Sequence, residues 1–300
     1  MSKPVRLRHL LLRHVARRIR TFFLGNRDVS YRVGDLTLAL PGEHRLPEYQ
    51  SAFDLYDRQL GLVAEAVHSV YPESIGVDIG ANVGDSAAAI RARCAMPLVC
   101  IEGDDVYYDY LVRNASAIGN VTCVKSFVGA ETGSISGHVN RHDGTSEIES
   151  GEGSVEAKSL PDIIRENDID LSRVSFIKTD TDGFDFAILR GSESLITLAL
   201  PALFFEYVID GIDSAQQSLA LIDALESHGY TFVVFDNYGN LMRSVTSGAH
   251  GAFAELNAYL ISGLEHGGGV PYLDVFASAN PLVIDALLTL EHVCGYLTMV

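Results

Sequence analysis

The run VDIGANVGDS, residues 77–86, carries the residue types best suited to chemistry. An apolar strand ends at Asp78 and Ile79, and Gly80, Asn82 and Gly84 lead straight into a helix. Glycines let a backbone come close to a ligand, and a helix start offers free N–H groups. Glu102 closes the next apolar strand, 22 residues after Gly80. A carboxylate at that point typically accepts hydrogen bonds from a ribose diol. Loop and acid together point to a nucleotide-type ligand, the plain alternative being a tight βα turn with nothing bound. A dinucleotide fingerprint would read G-x-G-x-x-G, whereas the chain reads Gly80-Ala81-Asn82-Val83-Gly84 with Asp78 two residues before it. A carboxylate there repels a pyrophosphate and suits a cation. S-adenosylmethionine has a sulfonium and an ammonium and no phosphate, so the pattern favours it over NAD.

A second constellation is FIKTDTDGFDFAILRG, residues 176–191. Asp180 ends a strand, on the rim where α/β proteins bind ligands. Asp182 and Asp185 flank the start of the next helix, where a cap stabilises by ~1 kcal/mol without any other role. At least one of these three acids is expected to be only a cap. Glu206 ends the apolar strand ALFFEY, and its plain alternative is a solvated strand end. If these strands are neighbours, Asp78, Glu102, Asp180 and Glu206 converge on one rim. His44, His138 and His142 are candidate proton acceptors, with surface or capping roles as the alternative. Tyr49, Tyr56 and Asp57 could cover the cofactor, while Tyr107, Tyr108 and Tyr110 read as helix packing.

Strands and helices must place these residues. Strands are expected at 74–80, 97–103, 121–129, 174–180, 201–208, 230–236 and 272–278. Helices are expected at 52–70, 84–94, 105–118, 160–168, 184–197, 214–228 and 281–293. This alternation indicates a parallel sheet covered on both faces. Residues 28–50 read as a short hairpin and a loop, and 137–158 as a polar loop, either a lid or a solvated insertion. A second insertion, Gly-rich at both ends around a helix, spans 247–270. The organisation is then a basic N-terminal helix at 1–27, an extension at 28–72 and an α/β domain at 73–300.

From Ser74 to Tyr207 the chain resembles the FkbM-type methyltransferases, a branch of the class I S-adenosylmethionine-dependent enzymes. The blocks VDIGANVGDS, IEGDDVYYDYLVRNA, VTCVKSFVGAETG, SLPDII, IKTDTDGFDFAILRG and PALFFEY carry the likeness, in that order. A weaker echo lies around Asp274–Ser278. The family's second signature reads Lys-Ile-Asp-Val-Glu-Gly; here it is Lys178-Thr179-Asp180-Thr181-Asp182-Gly183, with the charges kept. The resemblance implies a Rossmann-like, mostly parallel sheet with an antiparallel C-terminal edge, and O-methylation of a hydroxyl, often on a glycan, a glycolipid precursor or a natural product. It implies that Gly80, Asn82 and Gly84 hold the methionine end, with Asp78 near the cationic part. Glu102 would take the ribose, and Ser126 and Phe127 the adenine. Asp180 and Glu206 would act on the acceptor hydroxyl, as a base or as Mg²⁺ ligands, although two carboxylates alone make an incomplete metal site. Competing readings are an NAD(P)-dependent Rossmann-type oxidoreductase and a non-catalytic binding protein on the same fold.

Composition bounds the partners. The 300 residues carry a net charge of -17. Residues 1–27 hold eight Lys or Arg and no acid, so the rest sets 14 basic residues against 39 acidic ones. Such a body repels nucleic acid. No run approaches the ~18 apolar residues needed to span a bilayer. Cys94, Cys100, Cys123 and Cys294 form no C-x-x-C pair, which fits a reducing cytosol. Leu7, Leu11, Val15, Ile19 and Phe22 form a helical stripe among arginines. Residues 4–23 could therefore lie on an anionic membrane, or pack on the acidic body.

Overall fold

The computed structural model describes residues 27–53, 55–142 and 144–290. The basic stripe at 4–23 and Cys294 lie outside these residues. The described chain opens with a hairpin, β1 (Asp28–Val33) and β2 (Leu36–Pro41), then helices α1 (Leu46–Ala52) and α2 (Arg58–Val70). Next come β3 (Ile75–Ile79), α3 (Asp85–Arg91), β4 (Leu98–Glu102), α4 (Asp105–Ile118) and β5 (Val121–Lys125). A small sheet follows, of β6 (Phe127–Gly129), β7 (Gly133–His142) and β8 (Thr145–Ser159). The chain then runs through α5 (Leu160–Glu166), β9 (Val174–Thr179), α6 (Asp185–Gly191), α7 (Glu193–Ala199) and β10 (Ala202–Tyr207). It continues with α8 (Ile212–Ser227), β11 (Thr231–Asp236), β12 (Leu241–Val245), α9 (Ala249–His266), β13 (Leu273–Ser278) and α10 (Pro281–Thr289).

The large sheet has the order β12-β11-β13-β10-β9-β3-β4-β5. Its β5, β4, β3, β9 and β10 are parallel. Strand β13 runs antiparallel between β10 and β11, and β12 runs antiparallel to β11. The expected mostly parallel sheet with antiparallel strands at its C-terminal end is therefore present. The last strand is inserted inside that end, and β12 forms the border.

Alternate residues of each strand feed two cores, as a period of two requires. Val77, Ile79, Val99, Ile101, Ile177, Leu203 and Phe205 face the helices α5 to α9. Leu98, Cys100, Phe176, Phe204 and Phe276 face the N-terminal hairpin with α2, α3, α4 and α10. Because both faces are covered, these strands read as unbroken apolar runs. Phe205 is fully buried, so Phe205→Ala should cost about 3–5 kcal/mol.

The chain enters the sheet at β3, winds outward to β5, and returns through β9 on the other side of β3. Two neighbouring parallel strands thus send their following loops in opposite directions. A crevice opens at their C-terminal ends, where open α/β sheets bind ligands.

Five expectations change. The helix expected at 52–70 is two, α1 and α2, broken near Asp57, whose φ is 63°. The helix at 184–197 divides into α6 and α7, and the strand at 121–129 into β5 and β6. Strand β12 was not anticipated. The polar stretch 137–158 is neither a loop nor unstructured: β7 and β8 pair antiparallel from Gly133 opposite Ala157 to His142 opposite Thr145. That hairpin is held by polar cross-strand contacts such as Asn140 Nδ2 to Glu149 Oε1 at 2.7 Å, and it offers few apolar residues to signal a strand.

Candidate active site

Strand β3 hands over to α3 through Gly80, with φ +73°, and Asn82, with φ +47°. A Cβ on Gly80 would lie 2.1 Å from the carbonyl oxygen of Asp180, so only glycine fits. The loop is tied to the neighbouring strands: Gly80 N and Ala81 N both donate to Ile101 O at 3.0 Å, and Asp180 N donates to Ile79 O at 3.2 Å. Asn82 is the hub. Its N–H donates to Glu102 Oε2 at 2.8 Å, and its Nδ2 donates to Gly144 O at 2.8 Å. His44 sits 3.2 Å from Asn82 Oδ1 through Nε2, while Leu46 N donates to His44 Nδ1 at 3.2 Å. That second bond leaves the ring proton on Nε2, which donates to Asn82.

Glu102 closes β4 and takes Asp104 N on Oε1 at 2.7 Å. Burial pushes its carboxyl up to about 7, against the pull of the two backbone N–H groups. Beside it the ring of Phe127 lies against Gly103, where a Cβ would clash at 2.3 Å. Glu102, Ser126, Phe127, Gly80 and Asn82 together line a narrow slot of about 70 Å³, roofed by Thr145 and Ile148 from the β8 hairpin. The hairpin is fastened there. Tyr107 Oη donates to Thr145 O at 3.3 Å, Thr145 Oγ1 to Asp182 Oδ2 at 2.5 Å, and Arg141 Nε to Asp104 Oδ2 at 2.5 Å.

Asp78 is elsewhere. It is buried beneath the loop and borders neither cavity. Ser86 Oγ donates to its Oδ2 at 2.5 Å, and Lys178 Nζ lies 3.0 Å from its Oδ1. The expectation that Asp78 faces a bound cation is corrected: its charge is spent on Lys178. Burial works against the Lys178 charge, yet Asp78 and then Asp180 hold its pKa above the ordinary value. Lys178 also donates to Gly80 O at 3.2 Å, which makes this pair a strut under the glycine loop.

On the far side of Gly80 the slot meets a larger cleft of about 410 Å³. Asp180 borders both spaces, its side chain 56% exposed. Glu206 joins it in the cleft, because β10 pairs with β9 from Ala202 opposite Phe176 to Phe205 opposite Thr179. Glu206 lies opposite Asp274 of β13, and Gln59 Nε2 donates to Asp274 Oδ2 at 3.0 Å. Burial, then the Asp180 charge, pushes Glu206 well above the ordinary carboxylate range and Asp274 up to about 8. The N-terminal extension supplies the opposite wall, where Tyr49 stacks on Tyr56 with ring centres 5.3 Å apart.

The remaining candidates separate cleanly. Asp185 is the structural one: buried, it accepts Thr179 Oγ1 at 2.9 Å and Thr181 Oγ1 at 3.0 Å and fixes the turn. Gly84 caps α3 with φ 91° and lines neither cavity. His142 lies on the cleft wall, 2.9 Å from Glu147, whereas His138 faces Glu149 at 3.7 Å and does not line it. Among the described residues, no three His, Cys, Asp or Glu groups are placed to hold a metal ion. The Mg²⁺ expectation for Asp180 and Glu206 finds no support in that arrangement. Gln59, Tyr272 and Asp274 were missed from sequence, although a lone aspartate inside the apolar strand LDVFAS was a usable signal.

The profile of the methyltransferase FkbM domain matches residues 78–232, from Asp78 through β3, the hairpin, β9 and β10 into β11. The chain belongs to this family. Among solved structures it is similar to methyltransferase FkbM from Methylobacillus flagellatus KT, at 16% identity and a TM-score of 0.35. That match covers 68% of this chain and 44% of the other, so the chain spans less than half of that protein. It is also similar to an O-methyltransferase from Bacillus cereus in complex with SAH, at 10% identity over 78% of this chain and 88% of the other, with a TM-score of 0.40. A third is precorrin-6y C5,15-methyltransferase from Geobacter metallireducens GS-15, at 12% identity over 68% and 79% of the two chains, with a TM-score of 0.35. No curated protein sequence matches the chain.

Proposed function

We propose that this methyltransferase-family protein uses S-adenosylmethionine to methylate a hydroxyl of a glycan, a glycolipid precursor or a related natural product. The observation that carries the reading is the junction at Gly80 and Asp180, where a slot with a ribose-type acid opens into a separate acid-lined cleft. The residues present fit the cofactor. Each Glu102 oxygen accepts one backbone N–H and keeps a lone pair for a diol. Phe127, packed against Gly103 and lining the slot, offers a ring for a purine. When bound, the cofactor supplies a methyl carbon on a sulfonium, which an oxygen can displace in line as the C–S bond breaks.

The chain's own residues position and deprotonate. An alkyl hydroxyl must lose its proton as the new C–O bond forms, so a base has to stand where donor and acceptor meet. Asp180 stands there and takes that proton. Glu206, held protonated by burial and by Asp180, orients the acceptor by donating a hydrogen bond. Tyr49 and Tyr56 close the cleft wall and limit water. Asp180 and Asp182 beside the glycine loop oppose a pyrophosphate, which argues against the oxidoreductase reading.

Thermal denaturation with S-adenosylmethionine or S-adenosylhomocysteine tests the cofactor. Both should raise Tm by mass action, and a folded sample that responds to neither overturns the reading. Mass spectrometry of glycan extracts incubated with labelled cofactor then separates an enzyme from a binding protein. We also propose that residues 4–23 give the protein a cytoplasmic, membrane-surface address. Among the described residues no helix is long and apolar enough to cross a membrane. Co-sedimentation with anionic vesicles that salt weakens, and that deletion of residues 1–27 abolishes, is the expected result.

A further inference from the structure

The cleft beside Asp180 has an excess of hydrogen-bond acceptors. Asp57, Asp85, Asp180, Asp182, Glu206 and Asp274 all line it. The basic groups on the same wall are engaged. Lys178 lies between Asp78 at 3.0 Å and Asp180 at 3.5 Å, and Arg45 lies 3.5 Å from Glu48. His142 faces Glu147, and His44 donates to Asn82.

A second observation is independent of charge. Gln59 is 6% exposed, and with its Nε2 given to Asp274 its Oε1 is buried without a hydrogen-bond partner. Glu206 Oε2 and Asn237 Oδ1, on the same wall, are also buried without one. The two amide oxygens are acceptors only, and a buried acceptor without a donor costs the full desolvation of that group. Their complement is a ligand rich in N–H or O–H.

We propose that the methyl acceptor is cationic: a hydroxyl compound bearing an ammonium group, of the amino-sugar class, whose ammonium is held by the cleft carboxylates while a neighbouring hydroxyl meets Asp180. The proposal rests on the reading of this cleft as the acceptor site. A neutral glycan would satisfy the lone oxygens but leave the crowded acids, Asp274 among them, holding their protons, whereas an ammonium among them favours the ionised carboxylates. The cofactor brings one net positive charge, fewer than the six acids on the wall. An anionic glycan would be repelled.

The test is calorimetry on the full chain, with and without saturating S-adenosylhomocysteine, using probes matched in shape. The glucosamine tetramer and cellotetraose differ only in ammonium against hydroxyl, and kanamycin against its N-acetylated form repeats the contrast on another scaffold. The ammonium member of each pair should bind at least tenfold more tightly, and 0.5 M salt should erase the difference. Asp274→Asn keeps an oxygen for Gln59 and removes an acid that a bound ammonium would ionise, so it should weaken the ammonium probes several-fold and leave S-adenosylhomocysteine affinity unchanged. Equal affinities within both pairs, a preference for the neutral members, or no binding of either ammonium probe overturns the proposal. Failure to bind S-adenosylhomocysteine overturns the methyltransferase reading instead, and the same pairs titrated into the unliganded protein still decide the charge preference.

Discussion

The slot under Thr145 and the cleft under Tyr49 share Gly80 and Asp180, but they are made of different material. The slot is a product of consecutive βα units: a loop after β3, the last residue of β4, and the turn after β5. Much of its polarity is backbone, with Asn82 N and Asp104 N aimed at Glu102. The cleft is assembled from side chains brought from far apart, Tyr49 to Gln59, Asn237, and Tyr272 to Asp274, onto the ends of β9 and β10. A site built from backbone geometry can serve one common cofactor across many proteins. A site built from side chains can change its acceptor without disturbing the fold.

The largest test of that division is Asp180→Asn. Turnover should fall about 10²–10⁴-fold, the usual worth of a general base, while S-adenosylhomocysteine affinity stays within twofold. Loss of cofactor affinity in that variant would merge the two sites into one. Gly80→Ala should strike both sides, because the new Cβ meets the Asp180 carbonyl and the residue sits at φ +73°. A loss of at least about 2 kcal/mol in chemical denaturation is expected, with cofactor binding and turnover falling together. Glu102→Ala removes an acceptor of charge-assisted hydrogen bonds and should weaken S-adenosylhomocysteine roughly 10- to 100-fold in calorimetry. The denaturation midpoint should hold close to that of the parent, and acceptor affinity should not move.

The smallest effect is a difference between two pH profiles. Burial raises Glu102 to about 7, Asp185 to about 6 and Asp274 to about 8. Each therefore keeps a proton in the fold that the unfolded chain releases near pH 4. Their contribution to stability is complete below about pH 4 and is lost as pH rises through 6 to 8, at up to about 1.4 kcal/mol per pH unit for each group. Tm should accordingly fall between pH 5 and pH 8.5. Asp274→Asn, on the cleft side, should flatten that fall more than Glu102→Gln, on the slot side. A reversed order would mean that the slot carries more of the buried charge than the cleft.

The same division explains what could be read from sequence. Gly80, Asn82 and Glu102 announce themselves at the ends of two apolar strands, Ser126 and Phe127 through the family resemblance, and the structure gathers all five in one slot. Asp78 obeyed the same pattern and was misplaced, since spacing does not reveal that Lys178, a hundred residues later, neutralises it. Gln59 is an ordinary core residue until β13 arrives beside β10, whereas Tyr49 and Tyr56, expected over the cofactor, line the cleft and not the slot. The β7–β8 hairpin escaped notice for the opposite reason: its strands face solvent and are joined by serines, an asparagine and glutamates.

The contact between Gly80 and the Asp180 carbonyl sets a ruler into the protein. With no side chain between the loop after β3 and the end of β9, the proposed span from methyl donor to proton acceptor is anchored at a main-chain contact. For an engineer this divides the molecule in a practical way. Libraries at Tyr49, Phe53, Tyr56, Asn237 and Tyr272 can reshape which acceptors enter, and the alignment of the reacting atoms travels unchanged from one library member to the next.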